Sequence, residues 1–145
     1  MYEDKSPEIA YNFAAFFNGL AEANRSYAGT KLTYGMPGYG IHGGSLPVET
    51  VYGEENLGAA MTRVPDENLL QSHARRGVVT MVNDGSNSNG SEFLITFDRA
   101  PYLDGHNNVV GEVVQGLSVL DQLEADCSRD GKVGAEWEVA AVGQQ

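Results

Sequence analysis

Oxygen-bearing side chains cluster between two apolar runs, in the stretch DGSNSNGS that covers residues 84–91. Their spacing partly matches a calcium-binding loop, which places oxygen ligands at its first, third and fifth positions. The match fails at the sixth position, where Asn89 replaces the turn glycine, and at the twelfth, where Ile95 replaces the bidentate glutamate. Strands rather than helices are predicted on both sides. The stretch is therefore either a plain hairpin connection or one wall of a binding site.

The other residues that often carry chemistry do not form a reactive set. His42, His73 and His106 lack the spacing of metal ligands, and the sequence has no phosphate-binding glycine loop. Cys127 stands alone near acidic residues, which raise the pKa of a thiol and disfavour a nucleophile. We therefore expect no metal, no cofactor and no covalent catalysis.

Composition narrows the class of protein. The 145 residues are 41% hydrophobic, which is enough for one core, so a single domain over residues 1–145 is predicted. The net charge of -11 repels phosphates and therefore argues against nucleic acid or anionic membrane as partners. A lone cysteine permits no internal disulfide. Without a signal-peptide pattern or a long apolar run, we expect no membrane insertion and an intracellular, by default cytoplasmic, location.

Two helices are predicted from local signals. The first starts at Pro7 after a Ser6 cap. Its buried stripe comprises Ile9, Phe13, Phe16, Phe17 and Leu20. A loop follows over residues 18–30. The second, short helix is capped by Ser118 and carries Val119, Leu120 and Leu123.

Antiparallel strands dominate the rest of the chain, as alternating apolar residues and glycine-rich turns indicate. In one strand Phe93, Ile95 and Phe97 face the same way, and near the end Trp137 and Val139 do so. The predicted elements are two short strands within residues 31–46, a surface loop over 45–68, strands over 78–83, 91–97 and 109–114, a turn over 101–107 and a closing strand over 136–143.

Six blocks stand in order along nearly the whole chain: SPEIAYNFAAF, PGYGIHGG, PDENLL, GVVTMVNDGSNSNGSEFLITF, YLDGHNNVVGEVVQGLSVLDQL and CSRDGK. In order and internal spacing they resemble the cyclophilin family, whose central pattern reads M-A-N-x-G-P-N-T-N-G-S-Q-F-F-I. The resemblance implies a mainly β (α+β) fold, an antiparallel β-barrel with two helices. It also implies peptidyl-prolyl cis-trans isomerisation of X-Pro bonds in protein folding. The family has two more strands before the first helix, and we expect the barrel of residues 1–145 to lack them.

The resemblance also assigns site residues, position by position. The family's catalytic arginine falls on Tyr34. Its substrate-binding positions fall on Tyr39, His42, Val82, Asn83, Glu92, Leu94, Tyr102, Leu103 and Asn107. Aromatic character survives at Tyr39 and Tyr102. In contrast, His42, Leu94 and Asn107 replace the family's glutamine, phenylalanine and histidine.

These departures lead to two expectations. Because the tyrosine at position 34 is neutral, isomerase activity on proline-containing peptides should be reduced, unless Arg75 or Arg76 brings a guanidinium over the groove. The alternative is a non-catalytic module, either a proline-peptide binder or a structural subunit of a larger complex. For the missing N-terminal strands we expect either that residues 1–145 are a piece of a longer chain or that a partner supplies the strands by β-augmentation.

Overall fold

A five-stranded antiparallel sheet forms the centre of the protein. The computed structural model describes residues 1–17, 26–46 and 64–143, and the backbone of two short strands between them. The strands are β1 (Tyr34–Met36), β2 (Gly40–Gly43), β3 (Val48–Thr50), β4 (Gly53–Glu55), β5 (Val78–Met81), β6 (Phe93–Thr96) and β7 (Val109–Glu112). The main sheet has the order β1-β2-β6-β5-β7, and β3 pairs with β4 alone. All pairs are antiparallel, so the predicted mainly β architecture is confirmed.

Three strand predictions are confirmed with shorter bounds, as is the hairpin within residues 31–46, now β1 and β2. Part of the predicted surface loop over 45–68 is instead the β3–β4 hairpin, in which Val48 pairs with Glu55. That part of the prediction was wrong because polar side chains do not prevent backbone ladder bonds. Residues 47, 51–52 and 56–63 of this stretch lie outside the described residues, as do residues 18–25 of the predicted loop over 18–30.

The closing strand predicted over residues 136–143 is wrong. A single bridge joins Lys31 to Glu138, flanked by backbone bonds from Leu32 N–H to Trp137 O and from Gly29 N–H to Val139 O. Val139 accepts from Gly29 N–H but donates to Thr30 O, so regular pairing is lost at Gly29, whose φ is +80°. The predicted alternation holds, because Trp137 and Val139 are half-buried while Glu138 is exposed.

Helix α1 (Pro7–Ala15) begins where predicted, but its cap comes from elsewhere. Ser6 precedes the helix without making a side-chain capping bond. Instead, Glu67 Oε1 and Oε2 accept the backbone N–H groups of Glu8 (3.2 Å) and Ile9 (2.9 Å). The carboxylate thereby satisfies two of the open donors at the helix start and meets the positive end of its dipole. Of the predicted stripe, Ile9, Phe13 and Phe16 are buried and Phe17 is half-buried, whereas Leu20 lies outside the described residues.

Helix α2 (Leu117–Asp126) differs from prediction at its start. Its N-cap is Gly116, whose φ of +80° suits glycine, and Ser118 lies inside the first turn, so the Ser118 cap was wrong. Val119 faces solvent and is 46% exposed. Leu120 and Leu123, one helical turn apart, are buried.

The two helices cover one face of the sheet, at different ends. Side chains of α1 pack with Tyr27, Met81 and Phe93, and side chains of α2 pack with Ile41 and Phe97. Ile95 contacts both clusters. Because side chains alternate along a strand, the neighbours of these residues face the opposite side of the sheet. We call the side that faces the helices the inner face and the other side the outer face.

An apolar cavity of about 310 Å³ opens at the end of the inner face that lies next to α1. Its lining includes Phe17, Tyr27, Val110, Val139 and Val142. Strand β7, which supplies Val110, is an edge of the sheet. Along this edge Tyr2 N–H donates to Val110 O (2.8 Å). No helix among the described residues is long and apolar enough to span a membrane.

The tertiary cap gives a first prediction. Glu67→Ala should lower the free energy of unfolding by about 0.5–2 kcal/mol, the usual cost of losing a helix cap. Ser6→Ala is the matched control and should leave stability unchanged or slightly higher, because Ser6 Oγ is buried without a hydrogen-bond partner among the described residues. Urea unfolding of both variants measures this. A larger loss in Ser6→Ala than in Glu67→Ala would contradict the assignment of the cap.

Candidate functional site

The register of the sheet aligns several predicted site residues on the outer face. Tyr34 on β1 pairs with His42 on β2, His42 pairs with Leu94 on β6, and Leu94 pairs with Thr80 on β5. Paired residues in an antiparallel sheet point to the same side. These four residues therefore form one row across the outer face.

Aromatic rings gather around His42 at one end of this row. Its ring lies 5.3 Å from that of Tyr34, at a right angle, and 5.7 Å from that of Tyr39. Tyr39 Oη and His42 Nε2 are 3.0 Å apart. Burial lowers the pKa of His42, so this imidazole is neutral at neutral pH. Burial also raises the pKa of the Tyr39 phenol, with smaller contributions from Tyr102 and Tyr34, which places all three tyrosines within electrostatic range.

Tyr34 presents a neutral and partly engaged phenol. The residue is 40% exposed, and its Oη donates to Met36 Sδ at 3.5 Å. Its ring packs over Gly131, where an added Cβ would lie only 2.0 Å from Tyr34 Cε2. The turn that contains Gly131 thus holds the ring against the sheet.

The floor of the site is closely packed at Gly40. Leu94 is only 2% exposed, although it was expected to line a proline pocket. A Cβ added at Gly40 would lie 2.6 Å from Leu94 Cδ1 and 2.5 Å from the backbone oxygen of Ile95. Leu94 therefore occupies the space that a larger residue at position 40 would need.

Val82 and Glu92 form the next row on the outer face. Val82 N–H donates to Glu92 O (2.9 Å), which continues the β5–β6 pairing one step beyond Met81 and Phe93. Glu92 precedes Leu94 by two residues, so both side chains point to the same side. The row adds a half-buried carboxylate to the site.

The side chains of Asn83 and Asn107 hold loops. Asn83 Nδ2 donates to His106 O (2.8 Å), and its Oδ1 accepts the N–H of Gly85 (3.3 Å). Asn107 Nδ2 donates to Met81 O (2.9 Å). Both bonds fasten the turn that follows Leu103 to the end of β5. The side-chain amide of Asn83 is therefore engaged within the chain.

His73 positions Tyr102 and Leu103, and sequence reasoning missed this role. The two residues lie on a single 3-10 turn, Pro101–Leu103. Ala100 N–H donates to His73 O (2.7 Å), and His73 N–H donates to Asp104 Oδ1 (2.7 Å). The buried ring of His73 also bridges Asp104 Oδ1 (2.8 Å) and Thr80 Oγ1 (3.0 Å).

The bonds from His73, the backbone one first, lower the pKa of the Asp104 carboxyl. The turn is therefore clamped at both ends to β5 through one histidine. No local pattern around position 73 marks this role, because its partners lie on other segments of the chain.

Asp66 organises the polar loop over residues 84–91. Its Oδ1 accepts Asn89 Nδ2 (2.8 Å) and Asn108 Nδ2 (2.9 Å), and its Oδ2 accepts the N–H of Asn87 (2.9 Å). Asn87 adopts a left-handed conformation with a φ of 59°, which asparagine tolerates better than most residues. Asn89 Nδ2 also donates to Val64 O (3.0 Å). Asn87 and Asn89 thus have structural roles in this loop.

Neither neighbouring arginine reaches the outer-face site. Arg75 forms a salt bridge with Glu112 on β7. Arg76 pairs with Asp121 (2.8 Å) and Glu124 (2.6 Å) on α2, and its guanidinium lies 5.6 Å from the ring of Phe97. The exception allowed for Arg75 or Arg76 therefore does not apply. Ion pairs with α2 and β7 hold them elsewhere.

The fold and the site together define the class of this protein. A mainly antiparallel sheet with two helices on its inner face carries an aromatic, partly exposed row on its outer face, and the described residues contain no cluster able to hold a metal ion. Residues 1–143 match the family model described as "Cyclophilin type peptidyl-prolyl cis-trans isomerase/CLD". The chain belongs to this family, as its motifs predicted. At the level of the family, membership supports peptidyl-prolyl isomerisation and the binding of proline-containing peptides.

The packing at Gly40 gives a second prediction. Gly40→Ala should lower the free energy of unfolding by about 1–3 kcal/mol, because overpacking against a backbone oxygen cannot be relieved by a rotamer change. Gly143→Ala is the control, since no atom lies within 4 Å of the added Cβ. Urea unfolding provides the comparison. Equal stability of the two variants would contradict the close packing of Leu94 at Gly40.

Proposed function

We propose that this protein binds X-Pro segments along the outer face of its sheet and isomerises them more slowly than a site with the family's arginine would. The observation that carries this proposal is Tyr34 beside His42, at the position where the family has an arginine. Tyr39, His42, Leu94 and Tyr102 would form the proline pocket. Val82, Asn83, Glu92, Leu103 and Asn107 would line the rest of the bound segment.

The chemistry requires no nucleophile and no metal, because isomerisation breaks no bond. The amide rotation barrier is about 18–20 kcal/mol, and uncatalysed X-Pro exchange takes roughly tens to hundreds of seconds. A catalyst must hold the proline ring, fix the preceding carbonyl and stabilise the twisted amide with a placed donor. The Tyr39–His42 pair offers polar atoms beside an apolar floor, which suits the first two tasks.

The third task is where this site is weak. A phenol donates a weaker hydrogen bond than a guanidinium, and the Tyr34 hydroxyl already points to Met36 Sδ. Loss of one preorganised donor costs roughly 10²–10³ in rate in systems where it has been measured. Arg75 and Arg76 are paired elsewhere and do not compensate. We therefore expect the protein to bind X-Pro segments and to isomerise them slowly.

A prolyl isomerisation assay on the native protein and on Tyr34→Arg tests this proposal. Because the substitution restores a charged donor, we expect an increase in kcat/KM of roughly 10²-fold, the lower end of the range for one such donor. Tyr11→Arg is the matched control, since Tyr11 is 80% exposed on α1, away from the site. It should leave the rate unchanged.

Two results would overturn the proposal. A family-like rate in the native protein would show that Tyr34 suffices. Absence of both activity and proline-peptide binding in the native protein and in Tyr34→Arg would favour a structural role instead.

A second candidate function, a structural subunit of a larger complex, is favoured by the cavity beside β7. Phe17, Tyr27 and Val110 line an open apolar volume of about 310 Å³ next to a sheet edge. Exposed apolar surface next to a strand edge is a template for adding a strand, and along β7 such a strand would continue the pairing that Tyr2 N–H begins at Val110 O. We propose that an extended polypeptide segment, apolar at alternate residues, would pair with β7 and fill this cavity.

This proposal predicts how residues 1–145 behave when purified alone. The open cavity should bind a hydrophobic dye such as anilinonaphthalene sulfonate. A synthetic strand peptide that alternates valine and threonine should displace the dye and raise the unfolding midpoint. The control peptide has proline in place of threonine and cannot donate to the β7 edge. A cooperative monomer that binds neither dye nor peptide would contradict a strand-completed subunit.

A further inference from the structure

Glu92 is the one acidic residue among the predicted site positions, and its side chain has a defined position on the outer face. Its half-buried side chain shares the outer face with Leu94, two residues further along β6, and stands opposite Val82. A strand rises about 3.3 Å per residue, so Glu92 and Leu94 are separated by roughly 7 Å along the sheet. The carboxylate therefore lies in the row of the outer face next to that of His42 and Leu94.

The Glu92 carboxylate has no partner in the described part of the chain. No described cation lies within ion-pair distance of it, and no described group donates a hydrogen bond to it. The described lysines and arginines that form ion pairs have carboxylates other than Glu92 as partners; they are Lys5, Lys31, Arg75, Arg76 and Lys132. A half-buried charge without a partner keeps part of its desolvation cost, which an approaching cation can offset.

Other charges around the site do not neutralise Glu92. Asp98 contributes, after burial, to the raised pKa of Tyr102, so a second carboxylate stands near the aromatic end of the site. The whole chain carries a net charge of -11. The potential over the outer face therefore favours a basic ligand and repels an acidic one.

A bound peptide can match this spacing. An extended segment rises by the same 3.3 Å or so per residue as the strand beneath it. When its proline lies over His42 and Leu94, the side chain two residues away reaches the row of Val82 and Glu92. We propose that Glu92 selects X-Pro segments that carry lysine or arginine two residues from the proline. This inference rests on the proposed function of the site.

Peptide binding measured by calorimetry tests the inference. Six peptides of equal length carry alanine, lysine or glutamate two residues before or two residues after the proline. For one of the two placements we expect lysine to bind roughly two- to fivefold more tightly than alanine, the range for a partly exposed ion pair, and glutamate more weakly than alanine. Added salt should reduce these differences.

Two variants separate a local effect of Glu92 from the overall charge. Glu92→Gln keeps the shape of the side chain and should remove the preference for lysine. Glu3→Gln removes the same charge from an exposed residue at the start of the chain and should preserve the preference. Circular dichroism of both variants checks that the fold is kept.

The outcomes distinguish this inference from the function on which it rests. If the alanine peptides bind and lysine gives no gain at either placement, the role of Glu92 is overturned while the proposed function stands. The role of Glu92 is likewise overturned if Glu92→Gln keeps the preference for lysine. If no peptide binds the native protein, the proposed function and the inference both fail.

Discussion

The antiparallel pairing of β6 with β2 and β5 determines which side chains face the core and which face the candidate site. It turns Phe93 and Ile95 towards the helices and Leu94 towards the outer face. A slip of one residue would exchange the two sets, placing leucine against α1 and two large apolar side chains in the site. The same strand pairing therefore places the core on the inner face and the candidate site on the outer face.

Acidic side chains stabilise this arrangement from within the chain. Glu67 caps α1, Asp66 accepts from the polar loop and from Asn108, and Asp104 accepts from His73. Each of them satisfies N–H donors at the start of a helix or in irregular segments, where no strand could pair them. Part of the strong negative charge of the chain is thus structural. The carboxylate of Glu92 differs because it faces the site without a partner in the described residues.

The chemistry of the site is that of neutral aromatic groups. Burial favours the neutral forms of His42 and Tyr39, and Tyr34 brings a phenol where a permanent charge would act more strongly. Such a surface can hold a proline ring by apolar contact. It has less capacity to stabilise a twisted amide, whose nitrogen gains electron density. In the proposed function, affinity and catalysis would therefore depend on different groups.

Sequence patterns determined what depends on near neighbours along the chain. The order of the blocks predicted the family, and alternation located β5, β6 and β7. Direct comparison of motifs aligned Tyr34 with the family's arginine. Local signals were less reliable at element ends, where Ser118 was mistaken for a cap and residues 136–143 for a strand. Gly116, with a positive φ, is the N-cap of α2, and residues 136–143 form only a single bridge, to Lys31.

Tertiary structure alone decided which distant groups meet. The cap of α1 comes from Glu67, 58 residues beyond Ile9, and the clamp on the 3-10 turn joins His73 to Asp104, 31 residues away. It also decided that Arg76 turns to α2, and that Leu94 fills the space beside Gly40. Periodicity and spacing record only how a segment presents its own side chains. Hydrogen bonds and close packing between segments depend on the register and path of the whole chain.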